Sequence, residues 1–384
     1  MRIGAIISEF NPFHNGHKHI IECAKNDGYT HIISIMSGNY VQRGEPAIFS
    51  KSRRVEAALK NGVDLIIEMP CVWAVSRAER YARAGVWLTD SLGCVDSLIF
   101  GSECGDLSRL TRLAEVIQSR KFREILPKYL DQGFTFAKAR EFAVSDLILQ
   151  SDIHDFMSAP NNILGLEYIK SIKRFNSSIA AVTFTRDKAL KSASEIRDLI
   201  KSKNSAYLDH VPVSARGNLE CINDIFWGER SIIAVLNTLS LSDFNNLPDI
   251  SEGLGNKIYA SVKECCDLHN LFELIKSKRY TMSRIKRIIM SAYLGVTESV
   301  QKRLPPYTRV LGATKKGLEI LKIAKYTTKL PIFSTYSELK ELDDFSKEIF
   351  EIECKATDLL RVFNEGLVSA GSEKKFKFIR RESI

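Results

Sequence analysis

His14 and His17 stand three residues apart at the end of the stretch 4–17, which reads Gly-Ala-Ile-Ile-Ser-Glu-Phe-Asn-Pro-Phe-His-Asn-Gly-His. At a junction between a loop and a helix, two imidazoles with this spacing can face one ligand, and Gly16 between them lets backbone approach it closely. The first N–H groups of such a helix also point at an anion. The chemistry this suits is holding phosphate while its charge develops. A second stretch, Ser192-Ala193-Ser194-Glu195-Ile196-Arg197, sets small hydroxyl residues before a helix with a guanidinium in its first turn. Ser194 and Arg197 therefore form a second candidate phosphate site. Asp64 and Glu68 are acids that could orient or deprotonate an amine, although Asp64 suits the start of a strand equally well. Tyr40, Gln42 and Arg43 supply an aromatic ring, an amide and a guanidinium on which an unstacked base could rest. A zinc site built on His14, His17 and His19 fails, because His17 and His19 point about 200° apart on a helix. No Cys or carboxylate lies beside them at ligand spacing.

The elements that must position these groups follow from the apolar pattern. Residues 3–7 form an apolar run that reads as a buried parallel strand, Asn11-Pro12 breaks it, and Gly16-His17 opens a helix that ends at Asp27-Gly28. Further apolar runs at 31–36, 63–67, 95–100 and 179–184 predict four more strands, separated by helical segments at 51–59 and 76–88. That alternation predicts an α/β fold with a doubly wound parallel sheet, in which ligands bind beyond the C-terminal ends of the strands. Residues 107–150 read as a basic helical insertion, and a Pro-Asn-Asn turn at 160–162 opens another helix that Asn161 could cap. After about residue 204 long amphipathic segments take over at 230–241, 255–269, 271–294 and 345–370, with a possible strand pair at 307–311 and 329–333. The expected division is a nucleotide-binding catalytic domain over 1–204 and a mainly helical, basic domain over 205–384. Lys278, Arg279, Lys286 and Arg287 cluster in the second, and a further basic run with Phe376 and Phe378 closes the chain. Each cluster suits either a solvated face or contact with an RNA backbone.

The 384 residues are 45% hydrophobic and 26% charged, an ordinary globular balance. The expectation is a soluble cytoplasmic protein, since no stretch approaches the roughly 20 apolar residues that span a bilayer. Eight cysteines without a C-x-x-C pair are expected to be reduced. The formal net charge of +9 is compatible with a polyanionic partner.

The pattern His-x-Gly-His after a first strand resembles the signature of the HIGH superfamily of nucleotidyltransferases. Ordered blocks extend the likeness: 9–17, then Met-Ser-Gly-Asn-Tyr-Val-Gln-Arg-Gly-Glu-Pro-Ala at 36–47, Gly-Val-Asp-Leu-Ile-Ile-Glu-Met-Pro at 62–70, Phe-Gly-Ser-Glu at 100–103, Pro-Asn-Asn-Ile-Leu-Gly at 160–165, and Ser-Ala-Ser-Glu-Ile-Arg at 192–197. Together these resemble the bacterial tRNA(Met) cytidine acetate ligases. The resemblance implies activation of acetate with ATP to acetyl-adenylate, then acetylation of N4 of the wobble cytidine, position 34, of elongator tRNA(Met). It implies ATP as substrate, with Mg²⁺ accompanying it. Carried over by residue, it implies an ATP site formed by Ile7, Ser8, Glu9, Phe10, Asn11, Pro12, Phe13, His14, Asn15, Gly16, His17, Lys18, His19 and Ile20, completed by Gly101, Asn162 and Arg186. The chain departs from the family in having only 187–191 between Arg186 and Ser192, and in reading Tyr-Ala-Arg-Ala-Gly at 81–85. Two other functions share part of this pattern: an adenylyltransferase making a nucleotide cofactor, and an RNA-binding protein without catalysis.

Overall fold

The computed structural model describes residues 1–148, 152–187, 189–251, 253–364 and 369–381. The strands in chain order are β1 (Ile3–Ser8), β2 (His31–Ser37), β3 (Tyr40–Val41), β4 (Glu45–Pro46), β5 (Leu65–Met69), β6 (Ser97–Ser102), β7 (Ala180–Thr185), β8 (Thr308–Ala313), β9 (Ile332–Phe333) and β10 (Ile379–Arg380). The main sheet runs β10-β8-β5-β2-β1-β6-β7, with β9 paired on β8. Its five central strands are parallel, and β8 joins β5 antiparallel. The central strands are near-continuous apolar runs because helices cover both faces, leaving no wet face to encode. β2 and β5 are buried at every position.

From β1 the chain builds outward through β2 and β5, then returns to add β6 and β7 on the other side. Strand order therefore reverses between β1 and β6, and a crevice opens at their C-terminal ends. The turn after β1 enters that crevice. Phe10 sits there at φ 46, a conformation a bulky side chain adopts only when its surroundings hold it, and Asn11-Pro12 is cis. Phe10 and Phe13 are fully buried beneath the turn, with ring centroids 4.9 Å apart. β3 and β4 form a small antiparallel hairpin beyond β2.

The helical half does not stand apart from the sheet. β8, β9 and β10 all come from beyond residue 204, so sheet and core run across the expected boundary. The segment expected as one helix over 271–294 is two, Leu268–Ile275 and Met282–Leu294, separated by a turn closed by a Ser277–Tyr280 bridge. The expected helix over 230–241 likewise ends at Thr238. The expected helices over 107–150 and 345–370 run partly into 149–150 and 365–368, which lie outside the described residues, as does Lys188. Every described cysteine is a free thiol. Among the described residues no helix is long and apolar enough to cross a membrane.

Candidate active site

A cavity of about 430 Å³ fills the crevice at the strand-order reversal. The first strand, turn and helix contribute Ile7, Ser8, Glu9, Phe10, Asn11, His14, Gly16, His17, His19 and Ile20 to its wall. Gly101 lies near the end of β6 and Glu103 follows it, Arg186 follows β7, and Ser194 and Arg197 belong to the helix Ala193–Lys201. Gln42 and Arg43 reach the cavity from the tip of the β3–β4 hairpin. Residues as far apart in the sequence as Ile7 and Arg197 are thus gathered by topology.

The two histidines hold each other. His14 is the N-cap of the helix Asn15–Asn26, and its Nδ1 accepts from the Gly16 N–H at 3.0 Å, while His17 Nδ1 accepts from the His14 N–H at 3.2 Å. Their ring centroids lie 3.8 Å apart at 33°. With both Nδ1 atoms committed as acceptors, the proton of each neutral ring must sit on Nε2. The capping box therefore fixes both tautomers and offers the cavity two N–H donors. Burial first, then the nearby Arg186 and Arg197 guanidiniums, lower the His14 pKa to about 3. Burial and His14 push His17 well below its usual value too. Both rings are neutral donors at neutral pH.

Cations surround them. Arg197 donates Nη1 to the Asn11 carbonyl at 2.8 Å, pinning the turn, and Arg43 Nη1 reaches Ser194 Oγ at 3.4 Å. Glu9 lies among them with Oε1 accepting from the Gln42 N–H at 2.9 Å. Burial raises its pKa, and that bond together with Arg197, Arg43 and Arg54 opposes the rise. Phe100, Leu164, Tyr81 and Tyr168 form an apolar side of the cavity. Sequence reading passes over these four, because each looks like part of the buried stripe of a helix or strand.

Several expected site residues lie elsewhere. Asp64 does not line the cavity: just before β5, at the end of the sheet away from the cavity, its Oδ2 accepts from the Ile32 N–H at 3.0 Å and Oδ1 from Thr314 Oγ1 at 2.9 Å. Its strand-start role explains it. Tyr40 is fully buried and donates to the Ala356 carbonyl at 3.0 Å, so it offers no face for a base. Asn162 is buried with its amide bonded to the Phe156 carbonyl and the Cys104 N–H, and Asn161 takes the cavity position. Glu103 caps that helix start by accepting from the Asn161 side chain at 2.6 Å and the Asn162 N–H at 2.8 Å. Pro12 and Phe13 support the turn from below, Asn15 is bonded to the Asp209 and His210 carbonyls, and Lys18 pairs with Glu22, so none of these four lines the cavity. In the basic cluster Lys286 is paired with Glu45 at 2.5 Å and Arg287 with Asp249 at 3.8 Å. Lys278 and Arg279 lie at the surface on the turn between the two helices.

Residues 1–375 match the family described as HIGH Nucleotidyl Transferase. The chain is similar to the tRNA(Met) cytidine acetate ligase of Thermoanaerobacter sp. (strain X514), 40% identical over 380 residues and 94% of each chain. It is 37% identical to the enzyme of the same description from Clostridium acetobutylicum over 399 residues, 96% of this chain and 97% of that one. The structure of Thermotoga maritima TmcAL bound with alpha-thio ATP superposes with a TM-score of 0.92 at 28% identity, covering 100% of both chains. The chain belongs to the HIGH nucleotidyltransferase family and, within it, to the tRNA(Met) cytidine acetate ligases.

Proposed function

We propose that the cavity binds ATP and acetate, forms acetyl-adenylate with release of pyrophosphate, and passes the acetyl group to N4 of the wobble cytidine of elongator tRNA(Met). The enzyme is an ATP-dependent tRNA(Met) cytidine acetate ligase, as its full-length likeness to that family supports. The observation that carries the reading is the convergence of two fixed Nε2–H donors with Arg186, Arg197 and Ser194 on one wall. Acetate is a poor electrophile, and joining it to AMP supplies a good leaving group. The leaving pyrophosphate develops charge where the donors point, so they stabilise it without reorganising. The histidines contribute as neutral donors and the arginines as charges. Mg²⁺ would accompany ATP, and it would help neutralise the charge of the leaving pyrophosphate beside Arg186 and Arg197.

Transfer requires a cytosine brought to the adenylate. An anticodon base in a single-stranded loop can be splayed out at small cost. Arg43, exposed at the cavity mouth, is the platform on which that base stacks. A reaction that consumes ATP and tRNA belongs in the cytoplasm. The test is to incubate the protein with ATP, labelled acetate and bulk tRNA, then digest the RNA. Label in N4-acetylcytidine at position 34 of tRNA(Met) is the expected result, and label in a nucleotide cofactor or in no product refutes the reading.

A further inference from the structure

One carboxyl in the cavity has no part in holding phosphate. Glu9 Oε1 is held by the Gln42 N–H at 2.9 Å, and among the described residues its second oxygen has no hydrogen-bond donor. A carboxylate repels phosphate oxygens, so this free oxygen suits a ligand that donates. Beside it, Gln42 Nε2 is buried at the cavity wall with no partner. An unpartnered buried amide costs about 1–3 kcal/mol unless a ligand accepts from it. Side by side, a free carboxylate oxygen and a free amide N–H present an acceptor and a donor. Cytosine has the complementary edge, with the N4 amine donating and N3 accepting, whereas uracil places an acceptor at the same position.

Resting on the function proposed above, we propose that Glu9 is the proton acceptor of the transfer step and, with Gln42, reads the Watson–Crick edge of the target cytosine. The N4 lone pair attacks the acetyl carbonyl carbon of the adenylate and a C–N bond forms. Glu9 takes a proton from N4, the bond from the carbonyl carbon to the phosphoryl oxygen breaks, and AMP leaves with that electron pair. Glu9 then returns its proton to solvent. Its surroundings suit such a base. Arg197, Arg43 and Arg54 face it from three elements and Tyr81 and Tyr168 from the apolar side. Burial raises its affinity for a proton, while the arginines and the Gln42 N–H keep ionisation within reach.

The experiment compares wild type with Glu9→Gln, which preserves size and removes proton acceptance, in two assays. Acetate-dependent pyrophosphate exchange reads adenylation, and single-turnover transfer from preformed acetyl-adenylate to tRNA(Met) reads the second step. Transfer should fall at least a hundredfold and exchange less than tenfold. The wild-type transfer rate should also rise with pH through an ionisation above the usual glutamate value, and this limb should vanish in the variant. Gln42→Ala should raise the tRNA concentration needed for half-maximal transfer. Wild-type transfer in Glu9→Gln overturns the inference. So does a large loss of exchange with a raised ATP requirement, which would put Glu9 on adenine N6, or with an altered Mg²⁺ dependence, which would make it a metal ligand. Absence of transfer by the wild-type protein refutes the proposed function itself, so the two failures are distinguishable.

Discussion

Two groups of charge lie near the C-terminal ends of β5 and β1, with β2 between them, and they differ in what they leave unpaired. Below the β3–β4 hairpin, Lys51 Nζ lies 2.6 Å from Glu68 Oε1 and 2.5 Å from Glu373 Oε1, and Arg309 Nη1 lies 2.7 Å from Glu68 Oε2 and also pairs with Glu373. Two cations meet two anions, and the ledger closes. A fifth group, Glu353, is left with no cation of its own, and burial followed by Glu68 raises its pKa to about 7. In the cavity the ledger stays open: two imidazoles, a carboxylate oxygen and the Gln42 amide line it without protein partners for their remaining polar atoms. Arg54 separates the groups, donating to the Ser37 carbonyl at 2.8 Å and the Glu9 carbonyl at 2.9 Å. Residue type does not separate structure from chemistry here, because buried Glu68 and half-buried Glu9 are both glutamates beside arginines. What separates them is whether partners remain to be supplied.

The largest effect is expected where the ledger is closed. Glu68→Gln leaves Lys51 and Arg309 sharing one anion in a dry site, and breaking such a pair typically costs about 3–5 kcal/mol. A denaturant midpoint checks this, and a cost below about 1 kcal/mol would show that water reaches the network. Because Glu373 lies in the final segment, the same substitution should loosen residues 373–380 from the sheet, visible as faster amide exchange in β10. Glu353 gives the pH signature. Its folded pKa is raised, so the folded state holds a proton that the unfolded state releases, and stability falls as pH rises from about 4.5 to about 7. Glu353→Gln should abolish that slope, and an unchanged slope would assign it to another group.

The open side should respond in rate rather than in stability. His14→Ala and His17→Ala each remove one preorganised donor, which typically costs about 2.7–4 kcal/mol of transition-state stabilisation. Adenylate formation should fall a hundredfold or more. Because each ring also caps the first turn of its helix, a loss of about 1 kcal/mol in stability should accompany it. His14→Asn, which keeps a capping side chain, separates the contributions: stability should return and the rate should not. Wild-type pyrophosphate release in His14→Ala would remove the phosphate role.

How much of this could be read from the sequence follows the same division. The five parallel strands are legible as apolar runs, and the histidine turn is legible because Asn-Pro and Gly mark it. Partners far apart in sequence are not. Asp64 and Glu68 look like cavity acids from their positions near a strand, but Thr314, which donates to Asp64, and Arg309, which pairs with Glu68, come from beyond residue 300 and carry no local signal. The strand pair expected at 307–311 and 329–333 is present as β8 and β9, whereas β10 escapes for a related reason. β10 is two residues long, and its pairing with β8 is set by tertiary contact. Tyr81 and Tyr168 lie on helices where an aromatic among apolar neighbours reads as core. The break at 276–281 is hidden by apolar periodicity that continues on either side of it.

The smallest expected effect tests whether the open region extends beyond the cavity, onto the RNA. The turn carrying Lys278 and Arg279 is tied by structure to the cavity mouth. It leads into the helix Met282–Leu294, against which the β3–β4 hairpin packs so closely that a Cβ at Gly44 would meet the Lys286 and Arg287 backbone at 2.5 Å, and Lys286 is paired with Glu45. Gly44 adopts φ 74 and must remain glycine for that approach. Hairpin and helix therefore form one unit, with Arg43 at one end and the basic turn at the other. Phosphates held by Lys278 and Arg279 would be held in register with a base stacked on Arg43. Replacing both by Ser should lower the log–log salt slope of tRNA binding by about 1.4–1.8, since each phosphate contact contributes about 0.7–0.9. Adenylation without tRNA should change less than twofold, because neither side chain lines the cavity. An unchanged slope would place the RNA on another face and would make this turn as closed as the network around Glu68.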